Sequence, residues 1–322
     1  MPDTNEGIGL LRFARNDEFL RALEQLVPEG RLGLAVSGGP DSLALLLLAA
    51  AARPDAVDAA TVDHGLRPES AREAALVAEV CRKLSVPHTV LAVAVKQDAS
   101  VQAQAREARY AALAGWAEQK GLAAVATAHH ADDQAETLLM RLARGSGLAG
   151  LAGVRRDRPL TAQVRLIRPL LDWRKDELQA VVAAAEVPYV DDPSNHDERH
   201  DRSRVRAYLK QAEWLDAARL ARSATALAEA DDALVWSTRR LAEERVHRDG
   251  TGVRIEAGDL PAELQRRLLV TELEWLGAGA ARGPDIDRAL GTLRSGGTCT
   301  LAGVKLSGGA VWKLAPAPPR RS

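Results

Sequence analysis

Residues 31–48 read RLGLAVSGGPDSLALLLL, and Ser37-Gly38-Gly39-Pro40-Asp41-Ser42 at the centre restricts the fold more than any other stretch. Leu32 to Val36 is a short apolar run, the pattern of a buried parallel strand. It ends in small residues and feeds a Leu/Ala-rich helix predicted to start near Asp41. Strand, tight glycine turn and helix N-terminus together build an anion site. The two glycines let backbone N–H groups approach a phosphate, and the helix dipole favours its charge. Ser37 and Ser42 add hydroxyl donors. Asp41 repels a bare anion, so its position calls for a divalent cation between carboxylate and phosphate.

Two common phosphate loops are excluded by composition. A Walker A loop ends in Gly-Lys-Ser/Thr, and no lysine stands here; a dinucleotide fingerprint needs G-x-G-x-x-G. Downstream, apolar runs at Val57–Val62, Thr89–Val95 and Ala123–Thr127 alternate with helical patterns near 69–84 and 100–120. That alternation predicts an α/β domain with a doubly wound parallel sheet, whose ligands sit at the carboxyl ends of the strands. The glycine-rich stretch Gly145–Gly153 reads as a loop. Short late strands are expected at 164–171 and 187–190, around a helix at 174–185, and long helices over 203–247. Residues 250–314 read as a small mixed domain with helices at 262–276 and 284–294 and strands at 298–305 and 310–314. The expected division is a catalytic domain over 1–208, a helical linker over 209–248 and a small C-terminal domain over 249–322.

Composition narrows the chemistry. Apolar residues make up 46% and charged residues 27%, the profile of a soluble globular chain, and no signal peptide or apolar span is evident. Cytoplasm is the default expectation. Cys81 and Cys299 are far apart and neither lies in C-x-x-C, which argues against a cysteine metal site and against paired-cysteine sulfur transfer. The net charge of -1 hides a local asymmetry. Arg141 to Lys175 carries nine basic residues against Asp157 and Asp172, and Arg199, Arg202, Arg204, Arg206 and Lys210 follow. Any one of these could be a solvated helix face; the two clusters together read as a phosphate-binding surface.

After the fourth strand, His129, Asp132, Asp133 and Glu136 fall at i, i+3, i+4 and i+7, one face of a helix if it starts early. Acids in a first turn also stabilise the helix dipole, but two adjacent histidines at a strand's carboxyl end favour a site for a metal or a cationic ligand.

The Ser37–Ser42 string resembles the PP-loop of N-type ATP pyrophosphatases. The ordered set Ser37–Ser42, Val62–Arg67, Gln102–Tyr110, His129–Thr137, Gly145–Leu151, Arg168–Leu171 and Asp192–Asn195 resembles the tRNA(Ile)-lysidine synthase family over residues 30 to 210. Where that family tends to carry Arg-Asn-Arg-Ile-Arg, this chain has Arg202-Ser203-Arg204-Val205-Arg206. The resemblance implies a carbon–nitrogen ligase using ATP and Mg²⁺. It would attach L-lysine to C2 of the wobble cytidine in an isoleucine tRNA with a CAU anticodon, through an adenylated tRNA. It implies a nucleotide pocket of Ser37, Gly38, Gly39, Pro40, Asp41, Ser42, Asp63 and His64, with Asp41 toward the metal. Asp41, Arg109, His129, Asp133 and Glu136 become the catalytic candidates, and Asp133 and Glu136 the lysine contacts. Arg155, Arg156, Arg202, Arg204 and Arg206 become the tRNA contacts. A homodimer is compatible with the sequence, and no membrane partner is expected. The alternatives are a PP-loop tRNA thiolase and a non-catalytic tRNA-binding relative.

Overall fold

The computed structural model describes residues 15–63, 69–93, 101–190, 201–212 and 214–318, which form two compact units, Met1–Ala228 and Glu229–Ser322. His64, Arg199 and the Asp192–Asn195 turn lie outside the described residues.

The first unit opens with α1 (Asn16–Leu26), β1 (Leu32–Ala35), α2 (Pro40–Ala52), β2 (Val57–Asp63), α3 (Glu69–Lys83) and β3 (His88–Ala92). It continues through α4 (Val101–Lys120), β4 (Ala124–Ala126), α5 (Ala131–Ala143), α6 (Leu148–Leu151), β5 (Asp157–Pro159) and β6 (Arg165–Ile167). Helices α7 (Lys175–Ala184), α8 (Asp201–Gln211) and α9 (Ala217–Arg245) follow, and the last of these passes into the second unit.

The strand order β3-β2-β1-β4-β6-β5 is parallel except for the β5–β6 pair. The chain runs outward from β1 to β3 and then returns to β4 on the other side of β1. That reversal opens a crevice at the carboxyl ends of β1 and β4, the favoured ligand position in such sheets. The doubly wound sheet expected from the sequence is therefore present.

Both faces of the sheet are covered, which is why β1 is apolar at every position. On one face α2 buries Leu43 through Ala50 against Leu32, Leu34 and Leu178 and Val182 of α7. On the other, Leu113, Trp116 and Ala117 of α4 pack against Val125 and Leu166. Gly33 is required here, because a Cβ would lie 2.7 Å from the Trp116 ring.

Several local expectations are corrected. Gly145–Gly153 is not all loop, since it contains the single turn α6; Arg141 donates hydrogen bonds to the carbonyls of Gly150 and Gly153 and organises the segment. Residues 187–190 form no strand; Val190 N–H donates once, to Gly38 O at 3.1 Å. The short β5 was hidden in a charged run ending in proline, a residue tolerated because β5 is an edge.

The second unit holds β7 (Val246–Arg248), β8 (Val253–Ile255), α10 (Ala262–Trp275), α11 (Gly283–Arg294), β9 (Thr298–Leu301), β10 (Val304–Ser307) and β11 (Trp312–Pro316). Its antiparallel sheet, ordered β7-β8-β11-β10-β9, packs Ile255, Leu306, Trp312 and Leu314 against Leu268, Leu269 and Leu293 of the helices. The single strand expected at 298–305 is a hairpin. Ala302 and Gly303 both take positive φ, +48° and +82°, as a two-residue turn between right-twisted strands requires. Among the described residues no helix is long and apolar enough to cross a membrane.

Candidate active site

The turn after β1 is locked by its own serines. Ser42 Oγ accepts from Ser37 N–H at 3.1 Å and donates to Gly39 O at 2.9 Å, and the two hydroxyls lie 3.2 Å apart. Gly38 has φ +90°, a conformation that side chains resist. Gly39 caps α2, and Pro40 takes the first helical position, where its missing N–H costs nothing. Together these place the free end of α2 at the mouth of the sheet. Asp63 ends the neighbouring β2 on the same edge.

The carboxylates come next. Asp41, in the first turn of α2, has one oxygen (Oδ1) buried with no hydrogen-bond partner among the described residues. Its other oxygen, Oδ2, lies 3.5 Å from His130 Nε2. The same imidazole lies 3.5 Å from Asp133 Oδ2 through Nε2 and 3.5 Å from Asp132 Oδ2 through Nδ1. Burial opposes charging of His130, but the carboxylates of Asp132, Asp41 and Asp133 outweigh it and push the imidazole up to about 10. Asp133 Oδ2 also accepts from the His130 N–H at 3.2 Å, closing the start of α5. Burial pushes the Asp133 carboxyl up, yet the charged His130 and Arg202 hold it below the usual carboxylate range.

The early helix start that would align His129 with Asp133 and Glu136 does not occur. Helix α5 begins at Ala131, so His130 is its cap and joins the carboxylates, whereas His129 turns away. Its Nδ1 lies 3.0 Å from Thr127 Oγ1, and with Ala105, Arg106, Arg109 and Tyr110 it lines a small open pocket of about 180 Å³. Burial holds His129 neutral, and Arg168, Arg109 and Arg106 add repulsion that outlasts the pull of Asp133. Burial likewise lowers the Arg109 guanidinium. Asp132 serves α7, accepting from Lys175 N–H at 2.9 Å and pairing with Arg174 at 3.3 Å.

Glu136 is 2% exposed and sits between two guanidiniums of α8. Arg206 Nε lies 2.7 Å from Oε1, and Arg202 Nε lies 3.0 Å from Oε2. Arg206 also feels Asp133 and Asp41, so the arginine pair and the carboxylate cluster share one neighbourhood. The other arginines have different surroundings. Arg155 donates to Ala228 O at 2.9 Å, Arg156 pairs with Asp172 at 2.6 Å, and the exposed Arg204 pairs with Asp201 at 3.4 Å. Arg168, 2% exposed, donates to the Arg155 carbonyl, and its Nε has no partner among the described residues.

The structure thus brings together Asp41, Asp133, Glu136, Arg202 and Arg206, and adds His130, which the sequence offered only as one half of a His-His pair. Arg109 and His129 line an adjoining basic pocket. Among the described residues no three His, Cys, Asp or Glu side chains are grouped as ligands for a metal.

Comparison with known proteins matches a PP-loop domain to residues 13–213. A tRNA(Ile)-lysidine synthase of Novosphingobium aromaticivorans is 49% identical over 308 residues, 93% of each chain. One from Zymomonas mobilis is 43% identical, covering 91% of this chain and 90% of its own. One from Ruegeria pomeroyi is 42% identical, covering 90% of this chain and 71% of its own. Among solved structures, a U34-tRNA thiolase of Methanococcus maripaludis with its [4Fe-4S] cluster shares the fold at a TM-score of 0.53 and 20% identity, over 66% of this chain and 78% of its own.

Proposed function

Because this chain belongs to the tRNA(Ile)-lysidine synthase family of PP-loop proteins, we propose that it ligates L-lysine to C2 of the wobble cytidine in the CAU-anticodon isoleucine tRNA. The observation that carries the reading is the placing of Asp41, at the mouth of a phosphate-binding loop, in one charged cluster with Asp133 and Glu136. A loop for a polyphosphate thus adjoins carboxylates suited to an amine.

In the first step the cytosine C2 oxygen attacks the α-phosphorus of ATP, and pyrophosphate leaves. The backbone N–H groups of Gly38, Gly39, Asp41 and Ser42, with the helix dipole of α2, would hold the phosphates. Asp41 Oδ1, buried with no hydrogen-bond partner among the described residues, is the carboxylate oxygen that would hold a divalent cation. Mg²⁺ held there would neutralise charge on the polyphosphate. In the second step the ε-amine of lysine attacks C2, and AMP leaves with the former C2 oxygen. The ammonium must lose one proton, to a carboxylate or to water, before its lone pair can attack, and a second once the bond to C2 has formed. Asp133 and Glu136 would hold the ammonium and orient it before that loss. Arg109 in the basic pocket beside His129 is suited to a phosphate or the reacting base. Arg155, Arg156 and Arg204 would contact the tRNA backbone.

Radiolabelled lysine, ATP and the CAU-anticodon tRNA test the reading. Label enters tRNA only when all three are present, with one AMP formed per lysine attached. Label entering without ATP, or AMP formed without tRNA, overturns it.

A further inference from the structure

We propose that Arg202 and Arg206 hold the lysine subsite shut by occupying Glu136, and that tRNA phosphates open it by drawing the two guanidiniums away. The inference rests on the reading of Glu136 as a lysine contact and of α8 as a tRNA-facing element.

The charge balance at Glu136 disfavours a third cation. Glu136 offers one negative charge and is already in contact with two positive ones, at 2.7 and 3.0 Å. Arg206 holds it through both carboxylate oxygens, the second at 3.3 Å from Nη2. With Glu136 2% exposed, water does little to screen an added cation. A lysine ammonium entering this arrangement meets a site that is over-neutralised, so it binds poorly. An acid with no free charge is an unsuitable receptor for an amine.

The same geometry shows what would release it. Arg202 and Arg206 are four apart on α8 and so project from one face of that helix. Arg202 is 44% exposed and Arg206 27%, so each keeps an edge toward solvent while its other edge meets Glu136. Arg202 is further tied to α5 by a hydrogen bond to Thr137 Oγ1 at 3.2 Å. Phosphodiesters compete well for guanidinium forks, because they accept two parallel N–H bonds as a carboxylate does. Once phosphates take the forks, Glu136 is left buried with its charge uncompensated beside Asp133, and a cation becomes a required partner. Lysine is then admitted after the tRNA, which keeps the nucleophile from meeting activated phosphate before the RNA has arrived.

Equilibrium dialysis of radiolabelled L-lysine against the full chain, without ATP, tests this with and without the CAU-anticodon tRNA. The wild type should bind lysine at least about tenfold more tightly with tRNA, within the usual range of coupling between two sites, and lysine should tighten tRNA by the same factor. The double variant Arg202→Gln/Arg206→Gln should bind lysine without tRNA nearly as well as the wild type does with it, while Arg202→Lys/Arg206→Lys, which keeps both charges, should retain the coupling. Equal lysine affinity of the wild type with and without tRNA overturns the gate but leaves Glu136 as a lysine contact. Lysine binding in neither state overturns both.

Discussion

The side-chain amide of Gln134 grips the backbone of Val154 on both sides, donating from Nε2 to its carbonyl at 2.9 Å and accepting at Oε1 from its N–H at 2.6 Å. Gln134 lies in α5 between Asp133 and Glu136, so the turn after α6 is latched to the helix that carries the candidate lysine contacts. Replacing Gln134 with Leu leaves two backbone groups unpaired in a closed site. It should cost about 1–3 kcal/mol, read as a lower midpoint in urea unfolding. Gly153→Ala acts on the same latch. Gly153 has φ +66°, and a Cβ would collide with the Gln134 amide, so this variant should be destabilised as well. Wild-type midpoints in both would contradict the latch.

Asp41→Asn should abolish AMP formation in a chain that still folds, with the unfolding midpoint lowered by the loss of its charge opposite His130. Oδ2 faces His130, but Oδ1 has no hydrogen-bond partner among the described residues, so its work lies with the nucleotide and its cation. Release of AMP at the wild-type rate by this variant would remove Asp41 from the chemistry.

Glu136→Gln should impair the use of lysine far more than the use of ATP. Truncating one member of a buried charge set costs about 2–5 kcal/mol by analogy with interfacial pairs, so adenylated tRNA should accumulate in a quenched reaction. An unchanged KM and kcat for lysine would reduce Glu136 to an anchor for Arg202 and Arg206.

A pH dependence follows from His88, whose imidazole lies 2.9 Å from Thr61 Oγ1 and is held below its ordinary value by burial. Below about 6.5 the unfolded chain takes up a proton that folded His88 resists. Its contribution is therefore complete above that pH and is lost as pH falls through it. The loss in urea midpoint between pH 7.5 and 5.5 should be smaller in His88→Gln than in the wild type. Equal losses would show that burial does not disfavour the charged imidazole.

What the sequence made legible is local. Ser37–Ser42 could be read because strand, glycine turn and capped helix are adjacent in the chain, and their physics needs no distant partner. The first-turn acids of α5 were visible by spacing, but the helix begins at Ala131, and that exchanged the roles of His129 and His130. Nothing in a linear reading pairs Glu136 with Arg206, 70 residues on, because that contact depends on α8 packing against α5. The charged run Arg155–Arg158 concealed β5, whose strand character comes from its partner β6 rather than from its own propensity. The basic cluster likewise proved diverse: Arg156 has an acid of its own, Arg155 a carbonyl, and Arg168 is buried.

Formation of a carbon–nitrogen bond between lysine and the wobble cytidine can be read by mass spectrometry of the reacted tRNA. The CAU-anticodon isoleucine tRNA is incubated with the protein, ATP, Mg²⁺ and lysine, then digested. The nucleoside digest should hold a species heavier than cytidine by one lysine less one water, absent without ATP, and an oligonucleotide digest should place it at the wobble position. Unmodified cytidine, or a nucleoside in which sulfur has replaced oxygen, would contradict it.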